Sequence, residues 1–188
     1  MKIRVIPPDS RLKAPDPRLA LAYEVGLITA LRETEILSLN LEDILASDGR
    51  IKVKVKGGRI EEVYLPAKLR DRIRAFTQDH LFRREAGPLF TSGGSAWKRS
   101  RRRMSRSTLW LLWQQAQADA GWPEPYYRVH DWRHTAITRF YQRTRDVVAT
   151  MRFARHRNVQ TTMVYTHMSL SDIYSHMEDQ SNEIQMQD

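Results

Sequence analysis

Apolar residues recur along this chain at two periods, and the switches between them mark out its elements. From position 17 the apolar residues Leu19, Leu21, Ala22, Val25 and Ile28 predict a largely buried helix. Asp16-Pro17 suits its start, because the aspartate oxygen can cap free amides and proline's fixed φ fits the first turn. A second short helix is predicted over 33–39, with Ile36, Leu37 and Leu39 inward. The period then drops to two. Over 51–56, Ile51, Val53 and Val55 alternate with Lys52, Lys54 and Lys56, predicting a strand with its lysines in solvent. Gly57-Gly58 reads as a two-residue hairpin turn, and 60–65 as the returning strand. Residues 41–45 read as a third strand, closed by an Asp48-Gly49 turn.

Beyond Pro66 the helical period returns with Leu69, Ile73 and Phe76. Gly87-Pro88 and Gly93-Gly94 bracket a short extended Leu89-Phe90. Ser107 is read as the cap of a helix over 108–120, which Gly121 ends. Further helices are predicted over 130–143, 146–154, 159–165 and 171–177. The fold class is therefore α+β, mostly helical with a small antiparallel three-stranded sheet. The proline-rich residues 1–15 read as an N-terminal arm or linker, 16–177 as one domain, and 178–188 as a disordered polar tail.

Composition narrows the class. The 188 residues are 41% hydrophobic, with five Trp and five Phe, enough for a substantial core. Cysteine is absent, which excludes a disulfide framework and a thiolate metal site. No apolar run reaches the length of a membrane span, and the N-terminus has no signal-peptide core, so a cytoplasmic protein is expected. The net charge is +9. It is uneven: Lys98, Arg99, Arg101, Arg102, Arg103 and Arg106 crowd one segment beside Trp97, while Glu178, Asp179, Glu183 and Asp188 sit in the tail. That clustering points to a polyanion partner over a uniformly solvated surface.

Several side chains suit phosphate chemistry, though each has a plainer reading. His130 and Arg133 are three apart on a predicted helix and share a face; a helix cap and a carboxylate pair would also explain them. Arg32 lies in an apolar stretch with Glu35 one turn on, as a phosphate ligand or a structural pair. Lys56 sits at the glycine turn, where it could protonate a departing oxygen or simply be solvated. His156 stands between Arg155 and Arg157. Tyr165 follows nine residues later, as a packing residue or as a nucleophile activated by nearby cations.

Taken together, Arg32, Lys56, His130-x-x-Arg133, His156 and Tyr165 resemble the tyrosine recombinase (phage integrase) family in order and flanks. The segment from Ala30-Leu31-Arg32 to Leu39 resembles the family's "GLRxxELLxL" box, with alanine in place of glycine. Val55-Lys56-Gly57-Gly58 with Val63-Tyr64-Leu65-Pro66 resembles its lysine hairpin. His130-Asp131-Trp132-Arg133-His134-Thr135 resembles "HDLRHT", with Trp132 in place of leucine, and Thr161-Thr162-Met163-Val164-Tyr165-Thr166-His167 resembles "TTxxYxH". Where the family often reads "LGH", this chain has Ala154-Arg155-His156. The likeness covers roughly residues 17–170. No helical core-binding domain precedes it, which implies either an excised catalytic domain or a likeness to the short fimbrial-type invertases.

The resemblance implies that 16–177 is a catalytic domain whose nucleophile Tyr165 forms a 3′-phosphotyrosine. Arg32 and Arg133 would hold the phosphate, His130 and His156 would donate hydrogen bonds or move protons, and Lys56 would be the general acid. It implies no metal and no other cofactor. The implied partner is double-stranded DNA at specific recombination sites, with Lys98–Arg106 tracking its backbone. The implied assembly is a homotetramer on synapsed DNA from a protein monomeric without DNA. Leu170, Ile173, Tyr174 and Met177 recur at helical spacing as an apolar stripe that would dock on a neighbouring protomer, or, in the plainer reading, on its own domain. The competing readings are a type IB topoisomerase-like enzyme and a non-catalytic basic DNA-binding domain.

Overall fold

The first helix begins where the sequence expects. The Asp16 carboxylate accepts from the Arg18 amide at 2.9 Å and pairs with the Arg18 guanidinium, so α1 (Pro17–Thr29) starts with a charged cap. It buries Leu19, Leu21, Ala22 and Val25 and ends at Ala30, whose backbone is left-handed at φ 52°. In this computed structural model, residues 4–7, 16–55, 57–79, 86–92 and 102–164 are described. Next in order come α2 (Glu33–Ser38), α3 (Leu41–Leu45), β1 (Arg50–Lys54), β2 (Ile60–Tyr64) and α4 (Ala67–Gln78). Then follow α5 (Arg106–Asp119), α6 (His130–Thr144), α7 (Val147–Ala154) and α8 (Gln160–Met163). The chain divides into two compact units, residues 1–139 and 140–188.

The expected third strand is a helix. As a strand, 41–45 would turn Leu41, Asp43 and Leu45 to one face and bury a carboxylate. As α3 it buries Leu41 and Ile44, three apart, and places Glu42 and Asp43 in the first turn, where the helix dipole favours them. The sheet of the described residues therefore has two strands, β1 and β2, antiparallel from Arg50↔Tyr64 to Lys54↔Ile60. Ile51, Val53 and Val63 face inward while Lys52 and Lys54 face out. The ladder runs on to a 2.8 Å bond from the Val55 amide to the Arg59 carbonyl. Gly57 and Gly58 both have positive φ, 90° and 79°.

Leu89-Phe90 is extended as expected, and both residues are buried. On one side the Leu89 amide donates to the Leu39 carbonyl and the Leu41 amide to the Gly87 carbonyl. On the other, the Ser92 amide donates to Arg102 and the Met104 amide to Phe90. This second rung decides where α5 begins. Met104 is tied into the extended pair, so Ser105 is the first residue able to cap, and its hydroxyl accepts from the Thr108 amide at 3.0 Å. Ser107, the expected cap, lies inside the helix.

The first unit closes around Trp113 and Trp132, packed edge-on with ring centroids 5.2 Å apart; Tyr23 stacks on Trp113 and meets Trp132 edge-on. Residues 4–7 of the expected arm join this unit. Ile6 is fully buried, its amide donates to the Thr135 hydroxyl and its carbonyl accepts from Arg139. Arg4 donates to the Tyr126 carbonyl and lies over the Tyr127 ring. In the second unit Asp146 caps α7 through the Ala149 amide, and Phe140 stacks on Phe153 at 4.3 Å. The helix expected over 171–177 and the tail 178–188 lie outside the described residues.

Candidate active site

Three of the expected site residues meet in the first unit. Arg133 lies in the first turn of α6, is only 3% exposed, and donates through Nη1 to the Ala30 carbonyl. Ala30 is the left-handed residue that ends α1, so the carbonyl is aimed at Arg133 by the helix stop itself. Two residues on, Arg32 sits at the N-cap of α2. Its amide donates to Glu35 Oε2 and its Nη1 to Glu35 Oε1, both at 2.8 Å. Glu35 is 2% exposed, whereas the Arg32 side chain keeps 30% of its surface in solvent. One carboxylate thus caps the helix and orients a guanidinium that still reaches solvent. The structural pair and a ligand-binding arginine are compatible.

His130 opens α6 beside both arginines. The residue as a whole is exposed, but its ring packs edge-on against His134, centroids 4.6 Å apart. Burial of the ring, then the Arg133 charge, hold the His130 pKa below its ordinary 6.5; Asp131 opposes this, Arg32 adds to it and Glu33 opposes it. His134 is pushed down to about 4, by burial first and then by His130, with Arg133 contributing and Asp131 opposing. His134 stood in the motif without a role. The signal that could have found it is its spacing of four from His130, which puts the two on one helix face.

The base of α6 is fixed on both sides. Asp131 Oδ2 accepts from the Arg128 amide at 2.7 Å, and the Thr135 hydroxyl donates to the Asp131 carbonyl. Trp132, in the slot the family gives to leucine, fits because position 26 is glycine: a Cβ there would meet Trp132 Cε3 at 3.0 Å.

His156 belongs to the second unit. It follows Arg155, left-handed at φ 54°, and its amide donates to the Met151 carbonyl at the end of α7. The ring meets the Thr162 hydroxyl through Nδ1 at 2.9 Å. Lys56 and Tyr165 lie outside the described residues.

The basic run is of mixed character. Arg103 donates to the Leu37 and Leu39 carbonyls and to Asn40 Oδ1, tying down the end of α2. Arg106 pairs with Glu33 at 3.2 Å but leaves 70% of its side chain in solvent, and Arg102 is exposed. Lys98, Arg99 and Arg101 lie outside the described residues. Among the described residues, no three His, Asp or Glu side chains converge as a metal site. No helix among them is long and apolar enough to cross a membrane.

A buried, backbone-anchored arginine beside a second guanidinium and a histidine pair is an anion-binding arrangement. The chain also resembles known proteins in sequence and in fold. The tyrosine recombinase XerD of Vibrio vulnificus is 29% identical over 168 residues, 86% of this chain and 54% of that protein. The chain thus spans about half the length of that relative. In fold it resembles the XerH site-specific recombinase bound to its difH substrate (TM-score 0.67, 21% identity, 86% of this chain and 46% of that one). It also resembles the catalytic domain of bacteriophage HP1 integrase (TM-score 0.60, 18% identity, 88% and 84%). The helix-rich α+β fold is that of these catalytic domains. The profile of the phage integrase family matches residues 9–171, most of the sequence, and the chain belongs to that family.

Proposed function

We propose that this chain is the catalytic domain of a site-specific DNA recombinase, which cleaves and rejoins strands through a 3′-phosphotyrosine. The observation that carries this reading is the junction of Arg133, Ala30 and Arg32: one turn of backbone anchors the first arginine and presents the second. Two fixed guanidinium groups, offering planar N–H donors toward one phosphate, stabilise the charge that builds on its oxygens during attack. Fixed donors of this kind are usually the largest catalytic contribution, each removed donor costing about 10²–10³ in rate.

In the step, the Tyr165 oxygen forms a bond to phosphorus and the bond to the 5′-oxygen breaks. The phenol proton passes to a neighbouring base or to solvent, and Lys56 protonates the departing oxygen to a free 5′-hydroxyl. His130 and His156 donate hydrogen bonds to the phosphate or assist those transfers. The phosphotyrosine keeps the bond energy for rejoining, so ATP is not consumed, and the guanidinium groups take the charge-stabilising role a metal would otherwise fill.

The partner is double-stranded DNA at specific recombination sites; the relative bound to its difH substrate supports this. Arg102 and Arg106, exposed at the start of α5, are the described members of the basic run best placed to track a phosphate backbone. The working assembly is a homotetramer on two synapsed duplexes, formed from a cytoplasmic protein that is monomeric without DNA. A nicked suicide duplex tests the reading: an enzyme of this kind leaves protein covalently joined to the DNA 3′ end, and a DNA-binding module leaves none. Exchanged strands among the products, as opposed to relaxed circles alone, separate a recombinase from a type IB topoisomerase.

A further inference from the structure

We infer that His134 is a positioning residue for His130, its buried ring packing at right angles to the His130 imidazole and fixing how that imidazole faces the phosphate. The inference rests on the reading that His130 serves the scissile phosphate. Both residues lie on α6, one turn apart, within the first unit. Side chains on a helix lean toward its N-terminus, so His134 reaches back over His130. The ring centroids are 4.6 Å apart and the planes cross at 87°, an arrangement that aromatic rings prefer.

The two histidines differ in what holds them. His130 is the exposed first residue of α6, and its backbone is set by the Asp131 amide donating to Arg128 and the Trp132 amide to Val129. The two side-chain torsions stay open. Among the described residues the His130 ring makes no hydrogen bond, and His134 is the one ring packed on it. Without that packing, an exposed imidazole would spend time in rotamers that miss a phosphate held by Arg32 and Arg133. His134 is only 8% exposed, is flanked by the buried Arg133 and Thr135, and is engaged beyond this contact, so it is the fixed member of the pair. Burial also keeps it uncharged at neutral pH, with its pKa pushed down to about 4, so it does not repel a His130 that takes up a proton.

The test has two arms. In the first, NMR of the full chain without DNA reads the His130 ring. Cross-relaxation between its ring protons and those of His134, with side-chain couplings of a single rotamer, is expected in the wild type. A wild-type His130 ring that averages over rotamers, or shows no such contact, overturns the inference whether or not any variant folds. In the second, single-turnover cleavage of a nicked suicide duplex should slow about 10-fold in His134→Gln with DNA affinity unchanged. The same change should have no effect when made in His130→Ala, because a residue that acts through His130 then has nothing to position. A purely structural role would slow both backgrounds alike. A folded His134→Gln protein with the wild-type rate, or an equal slowing in both backgrounds, overturns the inference. If the wild type forms no covalent adduct, the recombinase reading fails and the catalytic part of the inference falls with it. The NMR contact distinguishes that failure from an error in the ring packing.

Discussion

The Arg133 guanidinium donates through Nη1 to the backbone carbonyl of Ala30, a residue 103 positions earlier and two before Arg32. This bond joins the two arginine segments of the site. It also makes Arg133 a structural residue, since the Ala30 carbonyl is buried. Replacing Arg133 with alanine should cost about 1.5–3 kcal/mol of stability by removing a hydrogen bond made by a charged group. Among the molecules that remain folded, cleavage should still fall about 10²–10³-fold. Arg133→Lys should recover some stability but little rate, because an ammonium lacks the planar fork. Thermal melting alongside single-turnover cleavage separates the two effects; normal cleavage in folded Arg133→Ala would remove Arg133 from the chemistry.

Ala30 and Arg155 occupy positions where the family boxes carry glycine, and both are left-handed, at φ 52° and 54°. A side chain in that region costs about 1–2 kcal/mol, while glycine costs roughly 0.4–1 kcal/mol through the greater freedom of the unfolded chain. Ala30→Gly and Arg155→Gly should each therefore raise stability, by about 0.5–1 kcal/mol. Denaturant titration checks this, and a lower midpoint in Ala30→Gly would mean that the turn is not strained.

Gly26 and Trp132 should be energetically coupled. A Cβ at position 26 would meet Trp132 Cε3 at 3.0 Å and Ile36 Cδ1 at 3.3 Å. Gly26→Ala is expected to cost about 1–3 kcal/mol by overpacking. The same change should cost less in a Trp132→Leu background, where the ring is gone. A double-mutant cycle measures the coupling, and simple additivity would contradict the contact.

Stability should fall as the pH is lowered from about 6.5 to about 4. The His134 pKa is depressed from 6.5 to about 4 in the folded state, so across this window the unfolded chain binds the proton more tightly. Full stability is present above the upper limit and the contribution is lost below the lower one. The loss is on the order of 3 kcal/mol, and the depressed His130 pKa adds in the same direction. Only the lower end of the window overlaps the ordinary carboxylate values of about 3.9–4.3. His134→Gln should flatten the dependence in melting curves taken across it, and an unchanged slope would mean that His134 is not the group responsible.

Much of this architecture was legible because its signals are local. The Asp16 cap, the lysine-alternating β1 and the Asp146 cap each depend on residues within one turn or one strand. Residues 41–45 were misread because five positions fit either period, and what decides is the cost of turning Asp43 inward. The start of α5 was misplaced because the Met104–Phe90 bond that frees Ser105 is set by tertiary structure. The same holds for Arg103: in a charge run it looks like a DNA ligand, and only the fold brings it to the carbonyls of Leu37 and Leu39. The arginines and histidines of the site were found through their resemblance to a family. The partners that hold them, the Ala30 carbonyl, His134 and Thr162, became visible only with the geometry.

The most direct measurement is mass-spectrometric mapping of the covalent DNA adduct formed on a nicked suicide duplex, compared between the wild type and Tyr165→Phe. The wild type should carry a nucleotide remnant on the peptide containing Tyr165. The Phe variant should bind the same DNA with unchanged affinity and carry none. An adduct on Tyr174, or any adduct in Tyr165→Phe, would contradict the assignment of the nucleophile. No adduct in the wild type would contradict the enzyme itself.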